Sequence, residues 1–290
     1  MRFINTITGP QKLKNIYDFF PDLKIIFTGS SIIELSKQQG DLSRRALIYD
    51  LPGLSFREFL KFKYQLQLPV ISLNELLTNS NIYKKYIDKN FRPLAYFREY
   101  LETGYYPFTL EDPASAHQRI NQLIRTIVEY DMAELKDFDI RNAKKLLQLI
   151  YIIAQQVPFK PNITSLAEKT SIHRNSLNNY LHYLEQAKII SLLYPAGNST
   201  ATLKKPEKII LNNTNLLFAM AQGEVEKGTL RETFFLSQVL PIHRVEIPKN
   251  GDFIVDNKFT FEIGGKKKGK KQIEEIKDAW IVKDDRNSNW

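Results

Sequence analysis

Ser165-Leu166-Ala167-Glu168-Lys169-Thr170-Ser171-Ile172-His173-Arg174-Asn175-Ser176-Leu177-Asn178-Asn179-Tyr180-Leu181-His182-Tyr183-Leu184-Glu185-Gln186 holds two short helical patterns with only Ser171-Ile172-His173 between them. Ser165 followed three residues on by Glu168 predicts a capping box opening the first helix. Leu177, Tyr180, Leu181 and Leu184 recur at helical spacing and predict the buried face of the second, Arg174 to Gln186. Downstream, Ile189 to Tyr194 and Lys208 to Leu211 read as strands joined by a loop from Pro195 to Thr200. Helix, short turn, helix and hairpin is the order of a winged helix-turn-helix.

His173, Arg174, Asn175, Asn178 and Asn179, with His182, form the polar side of that second helix. Asn and Arg suit base edges and phosphates, so the expected partner is DNA, with the helix in the major groove. A protein-contact role for such a face stays open. Upstream, Ala116 to Leu135 and Asn142 to Gln156 carry a 3.6-residue apolar period. Pro158 and Pro161 end the second of these.

Toward the N-terminus, Gln11 to Phe20 predicts a helix stopped at Pro21-Asp22. Lys24-Ile25-Ile26-Phe27 is a continuous apolar run, the pattern of a strand buried on both faces of a parallel sheet. Thr28-Gly29-Ser30-Ser31 stands at its carboxyl end, where open parallel sheets hold ligands. Ile32 to Gln39 reads as a helix and Ala46 to Leu51 as another strand. Ser55 and Glu58 form a capping box before Phe56-Arg57-Glu58-Phe59-Leu60. A polar stretch from Thr78 suggests a boundary between residues 78 and 90.

The chain has 290 residues, 43% apolar and 25% charged, which is enough apolar content for a buried core and suggests two or three domains. Lys plus Arg exceeds Asp plus Glu by 41 − 32 = 9, a bias toward anionic partners such as nucleic acid. With no cysteine there is neither a disulfide framework nor a thiolate metal site. His117, His173, His182 and His243 lack metal-ligand spacing. No run of about 18 apolar residues and no signal-peptide pattern occurs, so a cytoplasmic protein without membrane association is expected.

No G-x-x-x-x-G-K-[ST] phosphate loop occurs in the sequence, and Thr8-Gly9-Pro10-Gln11-Lys12 lacks both its spacing and its hydroxyl ligand for magnesium. Tight ATP binding by this chain alone is therefore not expected. Thr28 and Ser30 have hydroxyls suited to sensing a γ-phosphate, and Arg44-Arg45 offers a finger-like guanidinium. A turn that caps the next helix explains the same hydroxyls.

Lys24 to Ser31, then Leu42-Ser43-Arg44-Arg45-Ala46, then Tyr49-Asp50-Leu51-Pro52-Gly53-Leu54-Ser55-Phe56-Arg57-Glu58-Phe59-Leu60, resembles the sensor strand and following region of a prokaryotic AAA+ ATPase family. Members carry a C-terminal domain of unknown function with a winged helix and a restriction-endonuclease-like end. The resemblance implies ATP and Mg in the intact family, with Thr28, Ser30 and Arg45 completing the nucleotide site. It also implies a chain that starts after both Walker motifs and assembles with itself or with a full-length relative. Where the family has glycine before the finger, this sequence has Arg44. Gly104-Tyr105-Tyr106-Pro107 resembles a packing turn of the family.

Residues 230–282 alternate between helical and strand patterns: helix Glu232 to Leu240, strands His243 to Ile247, Asp252 to Asp256 and Lys258 to Ile263, and helix Gln272 to Lys277. Glu232, Asp252, Glu262 and Lys266 in that order resemble a PD-(D/E)xK nuclease core. Paired carboxylates, here Asp252 and Glu262, hold Mg there, and the lysine positions the attacking water. Asp252 is preferred to Asp256 because Asp252-Phe253 matches the family's Asp-Phe start. The usual lysine position, two residues after the second acid, is Gly264. A contact module with an inactive metal site is accordingly preferred to a Mg-dependent nuclease. The lysine run from Lys266 to Lys271 reads as a phosphate-binding strip or a solvated loop.

The expected architecture is thus a mixed α/β and α multidomain chain. Residues 1–80 are the remnant of a parallel-sheet P-loop ATPase domain and 81–140 a helical lid or linker. Residues 141–215 are the winged helix-turn-helix, and 216–290 the restriction-endonuclease-like α/β domain. A non-catalytic DNA-binding regulator is the alternative reading of the whole.

Overall fold

A computed structural model describes residues 9–26, 47, 49–79, 81–82, 93–135, 137–155, 162–197, 205–221, 224–266, 268–269 and 271–283. The first helix, α1 (Gly9–Phe19), stops before Pro21 as its composition dictates. In α2 (Phe56–Tyr64) the Glu58 amide donates to Ser55 Oγ at 3.2 Å and the Ser55 amide to Glu58 Oε2 at 2.8 Å, so the capping box forms. The same reciprocal pair, Ser72 and Glu75, opens α3 (Leu73–Thr78).

The chain then runs through α4 (Pro93–Glu99) into a π-helical turn, Tyr100–Gly104. A wide turn leaves carbonyls without their usual partners. Asn215, fully buried, supplies them: its Nδ2 donates to the Tyr100 and Leu101 carbonyls at 3.0 and 2.9 Å, and its Oδ1 accepts the Tyr105 amide at 2.8 Å. Gly104 is required there, since a Cβ would stand 2.6 Å from the Tyr100 ring and 2.8 Å from the Phe59 ring. Phe56, Phe59, Tyr64, Tyr100 and Phe234 gather around this turn in edge-to-face and tilted ring pairs.

Helix α5 (Ala116–Thr126) continues through a second π turn, Ile127–Asp131, and is followed by α6 (Ala143–Gln155). Next come α7 (Ile163–Thr170) and α8 (Arg174–Gln186), then strands β1 (Ile190–Leu193) and β2 (Lys208–Leu211), paired antiparallel with Ile190 opposite Leu211. Ile120, Ile124, Leu146, Ile150, Leu166, Leu177, Leu181 and Leu184 bury the inner faces of these helices in one core with the hairpin.

After α9 (Thr214–Met220) and α10 (Lys227–Val239), a four-stranded sheet forms in the order β3 (Val245–Glu246), β4 (Phe253–Val255), β5 (Phe259–Gly264), β6 (Ala279–Lys283). The first two junctions are antiparallel and β5–β6 is parallel. Phe235 and Leu236 of α10 pack with Phe253, Phe261 and Ile263 in a second core that also takes in Leu193 and Ile210 of the hairpin. The Ile247 amide donates to the Tyr194 carbonyl at 2.9 Å and the Ala196 amide to the Ile247 carbonyl at 2.8 Å, joining the hairpin to the sheet.

Four expectations change. Lys24, Ile25 and Ile26 lie in no strand, and Ile26 is 78% exposed. A strand buried on both faces needs a neighbour on each side, and none lies there among the described residues. The strand expected at Ala46 to Leu51 is likewise irregular at residues 47 and 49–51, with Leu47, Tyr49 and Leu51 exposed. Helix α7 starts two residues early: Asn162 Oδ1 accepts the Thr164 and Ser165 amides, so Asn162 rather than Ser165 caps it. Gln272 to Lys277 forms turns instead of a helix, because the segment is short and anchored mainly by the buried Ile273. It leads into β6, which the sequence reading missed. The helix expected at Ile32 to Gln39 lies outside the described residues.

Candidate functional site

The turn between α7 and α8 holds Ser171 at φ 53°, a left-handed C-cap that turns the chain sharply enough for the two helices to meet. His173 then caps α8, its Nδ1 accepting the Asn175 amide at 3.4 Å. Leu177, Tyr180, Leu181 and Leu184 are buried, whereas His173, Arg174, Asn175, Asn178, Asn179 and His182 are exposed. The structure therefore gathers the five residues singled out for DNA contact on one solvent-facing strip. Glu185, half-buried near the end of the helix, accepts the Leu192 amide at 3.0 Å and ties α8 to β1. Burial raises its carboxyl above the ordinary value of 4.5, against the lowering effects of the Leu192 amide, His182 and Lys188.

A second constellation lies on the four-stranded sheet. Side chains on β5 alternate, so Phe259, Phe261 and Ile263 face one side and Thr260, Glu262 and Gly264 the other. Glu262 is fully buried. Both its carboxylate oxygens lack a hydrogen bond, and Thr233 Oγ1 is the one other buried side-chain oxygen in that state among the described residues. The charge facing Glu262 is an ammonium: Lys268 Nζ stands 2.5 Å from Oε1, close enough for an ion pair.

Asp252 precedes β4, and its Oδ2 accepts the Ile263 amide at 2.7 Å, which holds it beside the Glu262 strand. Glu232, on α10, pairs with Lys208 of β2 at 2.6 Å, and Lys208 lies 4.9 Å above the Phe253 ring. Burial raises the Glu232 carboxyl; the Lys208 and Lys268 charges oppose that and Asp252 adds to it. Burial works against the charge on Lys268, but Glu262, Asp252 and Glu232 together hold its ammonium above the ordinary value. Three carboxylates thus converge on one lysine.

That lysine is not Lys266. Lys266 is exposed, and its carbonyl accepts Lys283 Nζ at 3.4 Å. Strand β5 ends at Gly264, and a turn closed by the Lys268 amide on the Gly265 carbonyl at 2.9 Å brings the later lysine over the site. Lys208 and Lys268 were both missed. Gly264, at the position where a lysine was sought, was the one available signal. Asp256 is engaged elsewhere, with His243 Nδ1 at 2.7 Å from its Oδ2.

As the residues stand, a divalent ion does not fit between Asp252 and Glu262. Each acid has an oxygen facing an internal donor, and no group of three His, Cys, Asp or Glu side chains among the described residues is arranged to hold a metal. Thr28, Ser30 and Arg45 lie outside the described residues. Among the described residues no helix is long and apolar enough to cross a membrane.

Residues 7–60 match an AAA domain, which supports an AAA-like ATPase family, and residues 94–227 match a domain of unknown function, DUF8612. The carboxylate cluster lies beyond both segments. The chain is 30% identical over 202 residues to the uncharacterized protein MJ1637 of Methanocaldococcus jannaschii, an alignment covering 68% of this chain and 42% of that protein. It is 31% identical over 214 residues to the uncharacterized protein MJ1544 of the same organism, covering 69% and 44%. The match thus spans less than half the length of each relative. No solved structure matches the chain.

Proposed function

We propose that this chain is the C-terminal portion of an AAA-family ATP-binding protein and that it attaches to DNA through a winged helix-turn-helix made of α7, α8 and the β1–β2 hairpin. The observation that carries the DNA reading is the exposed strip His173, Arg174, Asn175, Asn178 and Asn179 on a helix whose opposite face is buried. Such a helix has both a fixed seat and free hydrogen-bonding groups, which is what groove insertion requires.

The AAA reading draws on the match at residues 7–60. Exposed Leu47, Tyr49 and Leu51 add to it, since apolar side chains so close in sequence are what a neighbouring part of an ATPase sheet would cover. In the intact family ATP and Mg bind at phosphate loops, and the sequence here has no Walker A motif. Thr28, Ser30 and Arg45 are then sensing groups for a nucleotide held by a longer relative or by another copy. This chain alone neither binds ATP tightly nor hydrolyses it.

The acid cluster is favoured as a structural or DNA-contact element. Metal-dependent strand cleavage is a second reading, supported by the approach of Asp252 to β5 and opposed by the lysine on Glu262. Anisotropy titration of a labelled duplex with purified chain tests the main reading. Binding at about 50 mM salt that weakens steeply by about 200 mM is expected. No binding at the lower salt overturns it, and nicking of a supercoiled plasmid with Mg that disappears in Asp252→Asn would favour the nuclease.

A further inference from the structure

Residues 141–215 hold ten Lys and Arg against three Asp and Glu, so this segment carries 10 − 3 = 7 of the chain's net charge of +9. Three of those cations come from three different helices to one turn. Lys145, on α6, donates from Nζ to the Ser171 carbonyl at 2.7 Å. Lys169 stands in the last turn of α7, just before Ser171, and Arg174 opens α8 just after it. The contact with Ser171 thus sets the Lys145 ammonium beside the entry to α8.

Lys169 and Arg174 are exposed, and neither pairs with an acid among the described residues. Asp139 lies within electrostatic reach of Lys145, but both of its oxygens already accept the Arg141 guanidinium at 3.0 Å. An ammonium has three N–H donors, so the Ser171 carbonyl leaves Lys145 with two. Like charges gathered at one turn repel one another, and an anion laid across them relieves that repulsion. In a helix-turn-helix on DNA the second helix enters the major groove by its N-terminal residues while the helix before it crosses the backbone, which brings the turn between them to the phosphates.

We propose that Lys145, Lys169 and Arg174 form a phosphate clamp that seats this turn on the duplex backbone beside the groove, with Lys145 reaching in from α6, outside the two helices of the motif. Ammonium groups meet phosphate as point charges and read no base. The clamp therefore sets affinity and orientation on any sequence, and base discrimination is left to Asn175, Asn178 and Asn179. This inference rests on the DNA reading above and supplies its backbone contacts.

The test is anisotropy titration of two labelled duplexes of unrelated sequence, from about 50 to about 200 mM salt, with the wild-type chain, Lys145→Met, Lys169→Met, the double variant and Lys145→Arg. Each methionine variant should flatten the slope of log affinity against log salt by about one unit, which is about fourfold less loss of affinity over that fourfold range of salt. The double variant should flatten it by about two units, equally on both duplexes, and Lys145→Arg should keep the wild-type slope. A purely structural role for Lys145 would lower the unfolding midpoint and leave the slope alone. A wild-type slope in either methionine variant would overturn the proposal, as would flattening confined to one duplex. Should Lys145→Met fail to fold, Lys145→Gln keeps a donor for the Ser171 carbonyl without the charge: a flattened slope supports the clamp, and an unchanged one overturns it. Salt-sensitive binding that ignores both lysines overturns the clamp alone, whereas no binding by the wild type at the lower salt overturns the DNA reading itself and the clamp with it.

Discussion

The stem of Lys268 fills the space that a side chain on Gly264 would need, at 2.5 Å between the missing Cβ and Lys268 Cγ. The contact is with the root of the lysine, which cannot swing away as its tip could. Gly264→Ala must therefore push the turn from Gly265 to Lys268 outward and open the ion pair with Glu262. We expect a loss of about 1–3 kcal/mol, the usual cost of forcing extra atoms into a filled site. Gly269, with nothing within 4 Å of a built Cβ, is the control, and Gly269→Ala should stay within about 0.5 kcal/mol of wild type. Urea unfolding of the two variants separates them, and equal midpoints would contradict the account.

Asn215 supports the π turn with three hydrogen bonds, all to backbone groups. Asn215→Ala leaves the Tyr105 amide and the Tyr100 and Leu101 carbonyls without this partner. A cost of about 2–4 kcal/mol is expected, since buried groups left unpaired are each costly. Denaturant unfolding measures it, and a change under about 0.5 kcal/mol would mean that water replaces the amide.

The helices α5, α6 and α8 were legible because Ile120, Ile124, Leu146, Leu149, Leu177 and Leu184 repeat at the helical period and all face one core. The hairpin after α8 was legible for a similar local reason. Ile25 and Ile26 were not, because a run of apolar residues tells of burial only when other strands stand on both sides. β6 escaped because its partner is β5, across an irregular crossover from Gly265 to Asp278, and periodicity carries no information about such pairing. At the site the acids were readable in order and spacing. The lysine was not, since a turn inside a Gly/Lys run decides which of its ammoniums arrives.

Glu185 gives stability a pH dependence. Its folded-state carboxyl lies above the ordinary 4.5 through burial, so the folded chain holds that proton more tightly than the unfolded one. The contribution is full below the ordinary value and is lost as pH rises through the raised one. Glu185→Gln has no such proton to lose. Thermal unfolding from about pH 4 to about pH 7 should show the variant gaining on the wild type as pH increases. Parallel curves would show that the carboxyl titrates alike in both states.

DNA attachment through α8 is tested most directly by the salt dependence of duplex binding for the wild type, Arg174→Ala and Arg98→Ala. Arg174 is exposed on α8, while Arg98 is an exposed cation on α4 paired with Glu102 at 2.9 Å. Each phosphate contact contributes about one unit to the slope of log affinity against log salt. The account predicts that Arg174→Ala flattens the slope by about one unit and that Arg98→Ala leaves it unchanged. Equal slopes for all three proteins, or binding insensitive to salt, would contradict it.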